Sequence, residues 1–301
     1  MIATQDGEAV SADHSLPSAS SQIDSNQSTP MYTYLRPLRT TGARPPLICF
    51  FPGPPGARDL ADTLPEDQPV YEIFWPNMDD KSSFPSIEQL ATLFLPDIRK
   101  LSPHGPYQFC GYSTFGLVAY EMGQQLIAQG ADVSFLALFD IWHPQFFRML
   151  TPYEKARYQV LRVLDRSGKY YRTLKNDGMS ALFTRLIDFA NRKFTSTMWL
   201  ATRLGYRKVG RPVPKGVQII ESIAANKEYV PLPYPKKFIL VRTEDILERR
   251  LKDPTVGWHR SAKSGIQIYF VQGEHGKIKD KPFVQDLANK IVPHLEHPAE
   301  T

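Results

Sequence analysis

The sequence predicts an α/β fold: a mostly parallel central sheet, helices between its strands, and a helical insertion after one strand. Three observations carry this expectation. Short apolar runs alternate with helical patterns from about residue 46 to 140, strands resume at about 237, and the stretch between has helical periodicity with no convincing strand.

The first strands are PLICFF (46–51) and PVYEIFW (69–75), followed by a helix from about Ser86 to Leu101 and a third strand, YQFCGY (107–112). A helix from about Thr114 to Gln129 comes next, ended by Gly130, with Phe115, Val118, Ala119, Met122 and Leu126 on one apolar stripe. VSFLALFD (133–140) reads as a buried strand, KFILVRT (237–243) and IQIYFVQG (266–273) as two more, and a closing helix runs from about Pro282 to Ile291. No internal repeat is present.

Composition narrows the class. Residues 1–30 lack a basic segment followed by an apolar one, so they read as a disordered leader and not as a secretory signal. No uncharged apolar run approaches the roughly 20 residues needed to span a bilayer, so no transmembrane segment is expected. Both cysteines, Cys49 and Cys110, fall inside apolar strands and read as core thiols, which makes a cytoplasmic setting the expectation. The net charge of +5 is unevenly spread: Thr151 to Lys215 holds fifteen Lys and Arg against four acids, an excess of eleven. Several of Arg162, Arg166, Lys169, Arg172 and Lys175 are spaced to share one helical face. No nucleic-acid-binding module accompanies this charge, so nucleic acid is not the expected partner. A basic helical insertion of this kind, from about 143 to 215, reads as a lid.

The chemistry lies at strand ends. Ser113 stands where YQFCGY breaks into a helix, Asp140 ends VSFLALFD, and His275 follows the strand IQIYFVQ in the turn GEHG. Taken singly, the serine reads as a helix cap, the aspartate as a turn residue and the histidine as a solvated loop residue. Together they occur in the order nucleophile, acid, base at the C-terminal edge of a parallel sheet, where a serine gains a base and the base gains an orienting carboxylate.

The stretch HGPYQFCGYSTFGLVAYEMGQQLIAQGADVSFLALFD resembles the thioesterase domains of nonribosomal peptide and polyketide synthases, members of the α/β-hydrolase superfamily. In that family GPY leads into G-[YW]-S-x-G-G, a helix with A-x-E-x-A-x-x-L, and a strand ending in Asp. The similarity continues through ANKEYVPLPYPKKFILVRTED (225–245), DPTVGW (253–258) and VQGEHGKIKDKPFVQDLANKI (271–291). It implies one α/β-hydrolase, thioesterase-like domain over 31–301, with Ser113 as nucleophile, His275 as general base and Asp140 as orienting acid. It further implies an acyl or peptidyl group presented by a carrier protein on a phosphopantetheine arm, with no resident cofactor and no metal. Hydrolysis, acyl transfer and cyclisation are all open to that chemistry, as is an attenuated relative that only holds an acyl chain.

Two departures from the family pattern stand out. Phe115 occupies the position two after the serine where a small residue is usual, so it must follow the apolar stripe or push the helix outward. After PLICFF the chain reads FFPGPPGA, and Pro54 and Pro55 have no N–H to offer an oxyanion, which leaves the backbone of Gly53 or Gly56 with that of Thr114. Loss of one such donor costs about 100- to 1,000-fold in rate, so a slow enzyme is expected.

Overall fold

A computed structural model of the chain describes residues 32–51, 56–75, 85–164, 229–243 and 253–295, together with 167, 168, 170, 171, 174–176 and 178–180. The leader over 1–30, Gly53, Pro54 and Pro55, the lid from 181 onward, and Arg166, Lys169 and Arg172 lie outside the described residues.

Among the described residues, seven strands form one sheet in the order β1-β3-β2-β4-β5-β6-β7. They are β1 (Leu35–Arg39), β2 (Leu47–Phe50), β3 (Val70–Ile73), β4 (Tyr107–Tyr112), β5 (Val133–Phe139), β6 (Phe238–Thr243) and β7 (Ile266–Val271). Only β1 runs antiparallel to its neighbour; the other pairs are parallel. Strands covered on both faces need apolar side chains on both, and β2, β4 and β6 are buried at every position. That is why they read as continuous apolar runs.

The two faces have separate cores. Phe50, Phe109 and Leu138 pack with Leu90 and Phe94 of α2 (Ile87–Leu101) and Val118 and Met122 of α3 (Gly116–Ala128). On the other face Cys49, Cys110 and Ile239 pack with Leu60 of α1 (Arg58–Thr63) and with Leu287 and Ile291 of a C-terminal helix, Val284–Ile291. Cys49 and Cys110 face each other across β2 and β4, with sulfurs 3.3 Å apart and both thiols free. Burial, reinforced by the Cys110 contact, pushes the Cys49 thiol well above its ordinary range. Helix α2 begins where its sequence signal says: Ser86 Oγ accepts from the Gln89 N–H, and Gln89 Oε1 accepts from the Ser86 N–H.

Three boundaries differ from the sequence expectation. Strand β1 was not foreseen, because Pro37 interrupts its pattern; the strand survives as an antiparallel edge whose register shifts between Pro37 and Arg39. The helix expected from Thr114 starts at Gly116, after a tighter turn over Ser113–Phe115. The closing helix starts at Val284, two residues after Pro282.

The insertion leaves the sheet after β5 through a short helix, α4 (Phe146–Met149), and continues as helix over 152–164. Its exit and the chain's return are joined, since Gln145 Nε2 donates to the Tyr229 carbonyl at 3.1 Å. Among the described residues, no helix is long and apolar enough to cross a membrane.

Candidate active site

The β4-to-α3 turn is built on a glycine pair. A Cβ at Gly111 would stand 2.3 Å from the Gly116 Cα, so strand and helix touch through backbone there. The small residue this turn requires is therefore the third after Ser113. Phe115, two after it, turns into the core, where it is 7 % exposed and meets Trp75 edge-on at 4.7 Å. Of the two outcomes expected for this ring, it follows the apolar stripe. The turn forces Ser113 into left-handed backbone, φ 53°, which presents its hydroxyl above the sheet edge.

Asp140, directly after β5, is left-handed as well, with φ 51°. Its carboxylate is divided between two duties. Oδ1 accepts from the Thr243 N–H and hydroxyl, both at 3.2 Å, the hydroxyl lying 3.3 Å from Oδ2 as well, and Oδ2 lies 2.6 Å from His275 Nδ1. A carboxylate has no proton to give, so the imidazole proton belongs on Nδ1 and Nε2 is left as an acceptor. The Ser113 hydroxyl stands 3.1 Å from that Nε2. Ser113, His275 and Asp140, singled out on sequence, thus form one hydrogen-bonded line.

The supports of this line are unequal. The Asp140 side chain is 1 % exposed, that of His275 53 %. Tyr112 compensates: its hydroxyl donates to the His275 carbonyl, and its ring lies against the imidazole at 5.3 Å and 23°. Burial, with the charges of Asp140 and Asp280, raises the Tyr112 phenol and keeps it a donor.

The remaining sequence candidates concern the oxyanion. Thr114 is the exposed second residue of a short helical turn, where the backbone N–H has no intrahelical acceptor. Gly56 is buried with φ 60°, and a Cβ there would lie 1.7 Å from Glu72 Oε1. The same Oε1 accepts from the Ala57 N–H at 3.1 Å, and Arg36 of β1 pairs with Oε2. The chain returning from the β2 loop is therefore held from below by a buried carboxylate on β3.

Sequence reasoning missed Thr243, Tyr112 and Glu72. Thr243 closes a predicted strand, but nothing in one sequence says that this strand lies beside the one ending in Asp140. Tyr112 is legible only as a neighbour of the serine.

Behind Asp140 the chain is pinned by a second set of contacts. Trp258 Nε1 donates to the Ile141 carbonyl at 3.0 Å, and the His143 N–H donates to the Val256 carbonyl. His143 Nδ1 accepts from the Gln145 N–H, which leaves Nε2 to donate to Ser261 Oγ at 3.0 Å. Burial, with His259 and Arg260 nearby, lowers this imidazole to about 4. Burial alone would raise the Asp253 carboxyl, but hydrogen bonds from Thr255 and Gly257 outweigh it and hold the group below its ordinary value. At the root of the insertion a cavity of about 150 Å³ opens between Phe146, Leu150, Tyr158 and Asp253.

A mostly parallel sheet with a serine on a left-handed strand-to-helix turn defines the α/β-hydrolase class, and solved relatives share this architecture. The NocB thioesterase domain, solved as a covalent complex with a fluorophosphonate nocardicin G analog, is 22% identical with a TM-score of 0.57, covering 87% of this chain and 99% of that one. The chain belongs to the thioesterase domain family, whose model matches residues 45–293. Malpinin synthetase of Mortierella alpina is 34% identical over 132 residues, which make up 42% of this chain and 2% of the synthetase. A dimodular nonribosomal peptide synthase of Bacillus subtilis (strain 168) is 32% identical over 118 residues, 37% of this chain and 5% of that protein. The matched region is thus a small part of much longer assemblies.

Proposed function

We propose that the chain is a serine-dependent acyl-thioester hydrolase that releases acyl or peptidyl groups from a carrier protein in a biosynthetic assembly line. The reading rests on the unbroken line from Ser113 through His275 to Asp140 at the C-terminal edge of the sheet. His275 Nε2 takes the proton of Ser113 Oγ as the oxygen attacks the thioester carbonyl. The tetrahedral oxyanion is met by the Thr114 N–H and by that of Gly56 or Gly53. Collapse expels the thiol of the phosphopantetheine arm, which leaves with the proton held on Nε2. Water, deprotonated by His275, then cleaves the acyl-serine ester. An amine or hydroxyl in place of that water makes the same steps an acyl transfer or a cyclisation.

The basic insertion supports a carrier as the partner. Exposed positive charge near an entrance speeds encounter with an acidic protein and is screened by salt. Lys155 and Arg162, exposed on the described helix, contribute to it.

A fluorophosphonate reacts only with an activated serine, so it should label Ser113 in the native protein. Ser113→Ala should lose both the label and turnover of a carrier-bound acyl thioester while keeping the fold. Turnover retained in that variant, or a native protein that resists the label, would overturn the reading. Resistance to the label would instead favour a non-catalytic relative that binds acyl groups, the outcome to which the two prolines of the β2 loop lean.

A further inference from the structure

His275 needs more than its two ring hydrogen bonds. Those bonds lie in the imidazole plane, and a ring held at Nδ1 and Nε2 can still tilt about the line joining them. The turn that carries it stands outside the sheet. Its ends are tied down, by the Gln272 N–H to Asp286 Oδ2 and the Lys281 N–H to Asp59 Oδ2, both at 3.2 Å. Between them, the Lys277 N–H reaches the Glu274 carbonyl at 2.8 Å, and Ile278 is buried.

Tyr112 constrains what those contacts leave loose. It grips the main chain of His275 with its hydroxyl and covers the imidazole face with its ring. The same ring stacks on Phe51 at 5.8 Å and 16°, and Phe51 meets Phe139 edge-on at 6.1 Å. Phe51 follows β2, Tyr112 precedes Ser113 and Phe139 precedes Asp140. One aromatic assembly therefore spans three strand ends and reaches the turn of the fourth.

We propose that Tyr112 is a positioning residue: by fastening the His275 main chain and backing its imidazole, it holds Nε2 in register with Ser113 while Asp140 holds Nδ1. The proposal rests on the serine hydrolase reading above. It gives each half of the side chain its own task. The hydroxyl fixes where the histidine backbone stands, and the ring fixes the tilt of the imidazole and offers a π face to the imidazolium formed when Ser113 gives up its proton.

The test uses two variants and three readouts: labelling rate, steady-state kinetics and a proton resonance. Tyr112→Phe keeps the ring and removes the donor. The rate of fluorophosphonate labelling and kcat should each fall about tenfold, with KM unchanged, because small displacements of a catalytic group cost rate steeply. The low-field proton resonance of the Asp140–His275 hydrogen bond should broaden as that proton exchanges faster. Tyr112→Leu removes ring and donor and should fall further; if it fails to fold, Tyr112→Phe decides alone. Measurements are made well below both melting temperatures. A Tyr112→Phe protein that labels at the native rate with an unchanged proton resonance reduces Tyr112 to packing and overturns the proposal. Failure of the native protein to label overturns the hydrolase reading instead, so the two failures are distinct.

Discussion

The strand ends that carry Ser113 and Asp140 and the insertion that follows them are held in opposite ways. Both residues sit in left-handed backbone, φ 53° and 51°, which a non-glycine residue adopts at a cost of order 1–3 kcal/mol. They can do so because β4 is buried throughout and β5 nearly so, and because Thr243 and Gly116 fix what lies beside them. Along the helix over 152–164, by contrast, Tyr153, Val160 and Val163 are 70 %, 58 % and 63 % exposed. Strain is tolerated where neighbours over-determine a position. Ser113 and Asp140 therefore stand directly at buried strand ends, whereas the insertion is under no such constraint.

The comparison breaks most severely at Asp140. Asp140→Asn should lower kcat about 10³- to 10⁴-fold, because an amide cannot hold the imidazole with its proton on Nδ1. The melting temperature should change far less than the rate. Steady-state kinetics beside a thermal melt checks this, and full activity would mean that another carboxylate, Glu274 first, orients His275.

Phe115→Gly probes the core under the elbow. Since the ring is buried against Trp75, its loss should cost about 3 to 5 kcal/mol by chemical denaturation and should not speed the enzyme. A variant both more stable and faster would show that the ring is strained where it sits.

The mildest effect concerns His143, at the root of the insertion. Its imidazole falls from the ordinary 6.5 to about 4 on folding, so between those values the unfolded chain binds more protons than the folded one. Stability is then complete above about pH 6.5 and is lost progressively as the pH falls towards 4, by up to about 3 kcal/mol from this group. His143→Gln should melt at a lower temperature at pH 7 yet show a flatter dependence across that window. Parallel pH profiles for the two proteins would contradict it.

The parallel sheet was legible because strands buried on both faces leave uninterrupted apolar runs, and the three candidate residues were legible because the fold's chain order places them at strand ends. What escaped was spatial. Gly116 serves where position 115 was expected to, since the meeting point of strand and helix depends on the tight turn over Ser113–Phe115 that precedes α3 and not on a fixed count from the serine. Thr243 and Tyr112 act across strands, and sequence does not give strand neighbours. Strand β1 was hidden by Pro37, which an edge strand accommodates and an interior one would not.

The hydrogen bond from Gln145 to Tyr229 bears on how such domains diversify. A segment whose two ends already touch can be lengthened, shortened or exchanged at little thermodynamic expense, because closing a loop costs only about 0.6 kcal/mol more for each doubling of its length. The bond thus marks a natural seam: the sheet and its hydrogen-bonded line stay on one side, and the segment between Gln145 and Tyr229 can change length without disturbing them.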